Sequence, residues 1–127
     1  MRILSIDFGR KKIGLAVSGG SLAEPLRVIR YKSKEELLGK VVEVVEVEKV
    51  EQVVMGISEG EMANETKSFA HKLGNKLKIP IFFQDETLTT KDAQELAIKA
   101  GIKRKKRREL EDAYSATLIL QAYLDSK

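Results

Sequence analysis

Three short apolar segments follow one another at the start of the chain, and this order constrains the fold more than any other feature of the sequence. They are residues 3–8, 13–18 and 26–31, and each has the length and composition of a β-strand. The first two are separated by Gly9-Arg10-Lys11-Lys12, which suits a hairpin, and Gly19-Gly20 breaks the chain before the third. Consecutive strands joined by short turns predict an antiparallel arrangement.

Helical and strand patterns alternate in the rest of the chain. Ser33 and Glu36 have the spacing of a capping box and predict the start of a helix. The apolar positions of this helix are Leu38, Val41, Val42 and Val45. The remaining predicted elements are, in chain order, a strand over 50–57, a helix ending before Pro80, a strand over 79–85, a helix over 89–100 capped by Thr89, and a helix over 110–124. This order predicts a single α/β domain over residues 1–127, with a five-stranded mixed sheet flanked by helices.

The composition excludes several kinds of site. The chain has no cysteine, which excludes a disulfide framework and a thiolate zinc site, and its single histidine, His71, cannot complete a histidine-rich metal site. No apolar run approaches the ~20 residues of a membrane span, and no signal-peptide pattern precedes the first strand. We therefore expect a cytoplasmic protein with no membrane partner.

Carboxylates occupy positions that would otherwise be apolar. Asp7 lies near the end of the first strand, Asp112 begins the inward stripe of the last helix, and Asp85 and Glu86 end the last strand. The second strand leaves room above the sheet at three small residues, Gly14, Ala16 and Ser18. Converging carboxylates without histidine or cysteine are typical of a site for Mg²⁺ or Mn²⁺, and two such ions about 4 Å apart can promote phosphodiester cleavage.

Each of these carboxylates also has a structural interpretation. Asp112 could stabilise the N-terminal end of its helix through the helix dipole. Asp85 could serve as a cap or a turn residue, and Asp7 could accept hydrogen bonds from the amides of the hairpin. One shared site explains all three placements at once, so we favour the metal site.

An unbroken run of Lys and Arg occupies residues 103–108, whereas the rest of the chain is net negative although the whole carries +4. We expect an exposed, mobile loop before the last helix that binds a nucleic-acid backbone, with solubility as the alternative role. The expected contacts to nucleic acid are Lys12, Arg104, Lys105, Lys106 and Arg107. Phe82 and Phe83 lie in the middle of a strand and are expected in the core rather than as platforms for bases.

Four ordered motifs resemble those of the YqgF/RuvX family, which comprises pre-16S rRNA nucleases also named Holliday junction resolvases. The first consists of Ile6-Asp7-Phe8-Gly9 and Lys12-Ile13-Gly14-Leu15-Ala16-Val17-Ser18. The second is Val54-Met55-Gly56-Ile57, and the third is Asp85-Glu86-Thr87-Leu88-Thr89-Thr90. The closing helix is matched by Asp112, Ala113, Ala116, Ile119, Leu120, Gln121, Tyr123 and Leu124.

The resemblance implies an RNase H-like fold in which Asp7, Glu86 and Asp112 hold Mg²⁺ or Mn²⁺ and are catalytic. It also implies a nuclease that matures the 5′ end of pre-16S rRNA. Precursor rRNA or branched DNA is then the expected substrate, ribosomal particles are expected partners, and the chain is expected to be a monomer or weak homodimer. Two positions depart from the family pattern: Thr87 stands where the family has arginine, and Ser58-Glu59-Gly60 replaces a segment with proline and Asp-Gly.

Three alternatives remain open from the sequence. One is a Holliday junction resolvase-like DNA endonuclease, which would favour a symmetric dimer. Another is a non-catalytic RNA-binding module for ribosome assembly, which would need the basic run but no inward carboxylates. The third is a sugar kinase or actin-like ATPase, because Asp7-Phe8-Gly9 is similar to their phosphate hairpin. Those proteins need two such lobes, and this chain has the length of one.

Overall fold

The computed structural model describes residues 1–85 and 104–126, which contain five strands and three helices. The strands are β1 (Ile3–Asp7), β2 (Lys12–Ser18), β3 (Glu24–Arg30), β4 (Gln52–Ile57) and β5 (Ile81–Asp85). The helices are α1 (Lys34–Val47), α2 (Glu61–Lys76) and α3 (Arg104–Asp125). No helix within these ranges is long and apolar enough to cross a membrane.

The strands form one mixed sheet in the order β3-β2-β1-β4-β5. β2 pairs antiparallel with both β1 and β3, whereas β4 pairs parallel with both β1 and β5. Two of the helices lie in the connections that parallel pairing requires, α1 before β4 and α2 between β4 and β5. The predicted five-stranded mixed sheet flanked by helices is confirmed.

The two faces of the sheet are covered by different helices. Leu4 and Ile6 of β1 pack with buried residues of α1 and α2 in the larger apolar cluster. Ile3 packs on the opposite face, in a smaller cluster with Ala116 and Leu120 of α3. Because successive side chains of a strand alternate between faces, Ser5 and Asp7 lie on the α3 side with Ile3.

Helix α1 begins as the capping pattern predicts, but its buried face is rotated from the predicted one. The Ser33 hydroxyl accepts a hydrogen bond from the Glu36 N–H at 3.2 Å, while the Glu36 carboxylate lies 3.1 Å from Lys40 Nζ. The buried residues are Leu37, Val41, Val44 and Val45. Leu38 and Val42 are only partly buried at the border of the core. The periodicity alone leaves two overlapping apolar stripes, and packing against the sheet selects between them.

Helix α3 begins at Arg104, six residues before the predicted start. The expectation that residues 104–108 form a loop is therefore wrong for their backbone, which is helical. Lys and Arg are good helix formers and this run contains neither Gly nor Pro, so the basic segment continues the helix. Lys103 and the predicted helix over 89–100, with its Thr89 cap, lie outside the described residues.

Strand β5 lies at an edge of the sheet, and the prediction that Phe82 and Phe83 are core residues is wrong. Phe82 is 41% exposed and Phe83 is 43% exposed. An edge strand has a neighbouring strand on one side only, so its side chains receive less cover than mid-sheet residues of the same type. The Phe82 ring still contacts Tyr123 of α3, with 6.0 Å between the ring centroids.

Candidate functional site

The carboxyl ends of β1, β4 and β5 meet at one edge of the sheet, which we call the carboxyl edge. These three strands are parallel, so Asp7 at the end of β1 and Asp85 at the end of β5 lie at the same edge. The hairpin after β1 also lies there and returns the chain into β2 at Lys12. Ligand sites of α/β sheets are generally found at this edge.

Asp7 projects from β1 towards helix α3. It is paired with Gly14 of β2, and directly paired residues of antiparallel strands project to the same face. Two residues earlier on that face, the buried Ser5 hydroxyl donates a hydrogen bond to the Ala116 carbonyl at 2.6 Å. This bond fixes α3 over β1, next to the position of Asp7.

Gly14 allows the backbone of α3 to rest directly on β2. A Cβ atom built on Gly14 would lie 1.8 Å from the Asp112 carbonyl oxygen and 2.7 Å from the Ala113 nitrogen. The small residues of β2 therefore do leave room above the sheet, and α3 occupies that room. Since Asp7 is paired with Gly14 and the Asp112 backbone lies on Gly14, the structure brings Asp7 and Asp112 together.

The Ser5–Ala116 hydrogen bond gives an independent check on this placement. Asp7 lies two residues after Ser5, which is about 7 Å along a strand. Asp112 lies four residues before Ala116, which is about 6 Å along a helix. Both steps lead towards the carboxyl edge. Asp7 on β1 and Asp112 on α3 therefore lie at a similar distance from the Ser5–Ala116 hydrogen bond, in the same direction.

Asp112 forms an ion pair with Lys12 of β2. The Lys12 Nζ atom lies 3.0 Å from Asp112 Oδ2, and the two side chains are 40% and 30% exposed respectively. The Asp112 carboxylate therefore faces β2 rather than open solvent, as the sequence predicted. Its partner, Lys12, is also a residue predicted from the sequence to contact nucleic acid.

The other predicted acids are placed differently. Phe82 and Val54 are paired on the α3 side, so alternation places Asp85 on the opposite side of the sheet from Asp7. Glu86 follows Asp85 in the chain and lies outside the described residues. Among the residues that are described, no three His, Cys, Asp or Glu side chains form a group able to hold a metal ion.

The residues brought together fit a divalent cation in chemical type. Asp7 and Asp112 offer only carboxylate oxygens, the donors that Mg²⁺ and Mn²⁺ prefer. The Lys12 ammonium against Asp112 shows that this position holds a positive charge. The Asp112 backbone lies directly on Gly14, which is the residue paired with Asp7.

The hairpin that follows Asp7 is tied to both neighbouring elements. Arg10 donates a hydrogen bond to Glu65 of α2 at 3.0 Å, and this bond raises the pKa of Arg10 further above its ordinary value. On the other side the Tyr31 hydroxyl donates to the Gly9 carbonyl, and burial raises the pKa of that hydroxyl. These ties hold the end of β1 in place.

Several of these positioning residues were not predicted from the sequence, namely Ser5, Arg10, Tyr31 and Glu65. Ser5 carried a signal, because a hydroxyl in an apolar strand next to a candidate ligand needs a partner when buried. The other three gave none, since their partners are distant in sequence. The ties become visible only when the hairpin, α2 and the end of β3 are placed together.

The basic residues 104–108 form the start of the same helix that carries Asp112. Arg108 precedes Asp112 by four residues and Arg104 by eight, which correspond to about 6 Å and about 12 Å along a helix. Asp112 therefore follows the five basic residues on the same helix.

Comparison with known proteins places the chain among nucleases and resolvases. The family model described as "RuvX: Holliday junction resolvase" matches residues 1–126. A curated relative from Syntrophus aciditrophicus, named "Putative pre-16S rRNA nuclease", is 38% identical over 99% of this chain and 89% of its own length. One from Syntrophomonas wolfei with the same name is also 38% identical, over 98% of this chain and 94% of its own length.

Two solved structures have the same fold at low sequence identity. RuvC of T. thermophilus, in complex with a Holliday junction substrate, superposes with a TM-score of 0.62 at 20% identity, covering 99% of this chain and 96% of that one. The Fowlpox virus resolvase with Holliday junction DNA superposes with a TM-score of 0.70 at 13% identity, covering 99% and 98%. The RNase H-like fold predicted from the sequence is confirmed.

Proposed function

The chain belongs to the RuvX family, and from this membership we propose that it is a metal-dependent nuclease that hydrolyses phosphodiester bonds of structured nucleic acid. The observation that carries the proposal is the approach of Asp7 and Asp112 at the carboxyl edge, enforced by the contact of α3 with Gly14. A purely RNA-binding module would not need two carboxylates held together on the sheet. The paired acids therefore favour an enzyme.

The ligands of the metal are Asp7, Asp112 and Glu86. Asp7 and Asp112 supply oxygens from β1 and α3, and Glu86 follows directly after β5, whose end lies at the carboxyl edge. These residues would hold Mg²⁺ or Mn²⁺, which would supply activation of the attacking water and stabilisation of charge on the leaving oxygen. Asp85, on the opposite face, is not part of this set.

The chain's own residues position the substrate and the acids. The Ser5 hydrogen bond fixes α3 along β1, and Gly14 lets α3 lie closely on β2. Together they fix the position of Asp112. The tied hairpin keeps the end of β1, and with it Asp7, from moving. Lys12, Arg104, Lys105, Lys106 and Arg107 hold the nucleic-acid backbone beside the acids.

We propose the precursor of 16S rRNA as the substrate, with maturation of its 5′ end as the reaction. The names of the relatives support this assignment over the full length of the chain. We further propose one nuclease domain over residues 1–127 that works in the cytoplasm on ribosomal particles, as a monomer or weak homodimer. The second candidate is cleavage of Holliday junctions, which is favoured by the description of the matching family.

A cleavage assay with Mn²⁺ or Mg²⁺ tests the function and separates these substrates. The protein is incubated with end-labelled precursor rRNA and, in parallel, with a four-way DNA junction at the same ionic strength. We expect metal-dependent cleavage of the RNA at its 5′ side and little cleavage of the junction. Symmetric nicking of the junction while the RNA stays intact would instead establish the resolvase activity. If neither substrate is cleaved, the result would favour a non-catalytic RNA-binding module.

Removing charge from the start of α3 should weaken nucleic-acid binding about equally for all sequences. Alanine at Arg104, Lys105 and Lys106 preserves helix propensity, so the triple variant changes charge and leaves the helix intact. The slope of log affinity against log salt should flatten by roughly 0.7 to 0.9 for each lost phosphate contact. Fluorescence anisotropy at several salt concentrations measures both quantities.

The matched control removes the same number of charges from α2, on the other face of the sheet. It replaces the exposed Lys67, Lys72 and Lys76 with alanine. This variant should keep the affinity and the salt slope of the parent. Equal behaviour of the two triple variants would show that the basic run serves solubility.

A further inference from the structure

The ion pair between Lys12 and Asp112 joins a strand to the helix that carries a proposed metal ligand. Lys12 is the first residue of β2, and its Nζ lies 3.0 Å from Asp112 Oδ2. Two residues along the same strand, Gly14 touches the backbone of Asp112 itself. The lysine thus contacts α3 at the same residue whose backbone lies on Gly14.

The ion pair offsets part of the repulsion between Asp7 and Asp112 in the metal-free protein. Asp7 and Asp112 are both carboxylates and are brought together by the fold, and like charges at short distance destabilise one another. An ammonium group on Asp112 offsets part of this repulsion, as a bound divalent cation would. Lys12 and the metal would therefore contact the same carboxylate.

We propose that Lys12 is an internal counter-ion that competes with the divalent metal for Asp112, an inference that rests on the proposed function. In the metal-free protein its ammonium holds Asp112 and stabilises the contact of β2 with α3. When the metal binds, the ammonium leaves the carboxylate but remains at the carboxyl edge. There it can contact a phosphate of the substrate, which reconciles the ion pair with the nucleic-acid role predicted for Lys12.

The test compares Lys12→Met with Lys11→Met. Both variants remove one positive charge from the same hairpin while keeping an unbranched side chain. The Lys11 side chain is exposed, and its backbone carbonyl, which accepts from the Tyr31 N–H at 3.1 Å, is unaffected. Loss of one positive charge changes the electrostatic potential at the metal site in both variants. Loss of competition for Asp112 is expected for Lys12→Met alone.

Two measurements without cleavage are expected to distinguish the variants. In EDTA, Lys12→Met should melt about 1 to 5 °C below the parent, and this deficit should vanish in saturating Mn²⁺. By titration calorimetry, Lys12→Met should bind Mn²⁺ about fivefold more tightly than the parent, which corresponds to about 1 kcal/mol. Lys11→Met should change the affinity by less than about twofold, since its charge does not contact the carboxylate.

Other results would overturn the inference. A deficit of the same size with and without Mn²⁺ would show that Lys12 stays on Asp112 when the metal is bound. Equal gains in Mn²⁺ affinity for both variants would show that the change in electrostatic potential, and not competition for Asp112, causes the effect. If the parent binds Mn²⁺ and Asp7→Asn does not, either result refutes only the role of Lys12. Failure of the parent itself to bind Mn²⁺ would refute the metal site of the proposed function as well.

Discussion

Asp7→Asn is expected to abolish cleavage and most of the stabilisation that Mn²⁺ gives. The amide has nearly the shape of the carboxylate but no charge, so the fold is preserved while one metal ligand is lost. At a Mn²⁺ concentration 100 times its dissociation constant, linkage stabilises the parent by about 2.7 kcal/mol. Melting curves with and without Mn²⁺ should show most of that gain missing in the variant. In EDTA the variant should be at least as stable as the parent, because a like-charge conflict with Asp112 has been removed.

The control for this variant is Asp125→Asn, at the other end of α3. Asp125 accepts a hydrogen bond from Gln121 at 3.0 Å, which an asparagine oxygen can also accept. It lies 13 residues from Asp112, about 20 Å along the helix, so its charge should not reach the metal site. Cleavage by Asp7→Asn at the rate of the parent in saturating Mn²⁺ would refute the proposed site. So would carboxyl groups of Asp7, Glu86 and Asp112 more than about 10 Å apart, because paired ions lie about 4 Å from each other.

Gly14→Ala should destabilise the protein by about 3 kcal/mol or more, as expected when overpacking forces backbone to move. The added methyl would lie 1.8 Å from the Asp112 carbonyl oxygen and 2.1 Å from its carbonyl carbon. Both are backbone atoms of a helix that also packs on Ile3 and Ala16, so no side chain can rotate to relieve the clash. Urea unfolding of the two proteins measures the difference. Mn²⁺ affinity should fall too, because Asp112 moves away from Asp7.

Gly39→Ala is the matched control. Gly39 lies in α1, where a Cβ atom would meet nothing within 4 Å. Alanine in a helix interior is better than glycine by about 1 kcal/mol, so this variant should be more stable than the parent. If Gly14→Ala unfolds at the urea concentration of the parent, α3 does not rest on β2 at that residue, and the contact does not hold Asp112 near Asp7.

Local pattern was enough to predict most of the elements and to single out Asp7 as a candidate ligand. The strand segments near the N-terminus, the Ser33 cap and the mixed sheet follow from periodicity, turn residues and chain order, which neighbouring residues encode. Asp7 stood out because a carboxylate in an apolar strand needs a partner. The same local reasoning misplaced the start of α3, since a run of charge indicates exposure to solvent but does not distinguish a loop from a helix.

Tertiary contacts decided the rest. Phe82 and Phe83 have the pattern of core residues, but their exposure follows from the position of β5 at the edge of the sheet, which depends on pairing with β4. Lys12 is of a residue type that contacts phosphate, but its ion pair with Asp112 exists only because α3 packs over β2.

What the sequence by itself determined is therefore most of the described elements and the chemical type of the candidate site: carboxylates, no thiol and a single histidine. What only the tertiary structure decided is which of those groups meet. Asp7 and Asp112 are separated by most of the chain, and the distance between them depends on one glycine that lets a helix backbone touch a strand. Such a contact depends on shape complementarity between distant segments, and no local periodicity encodes it.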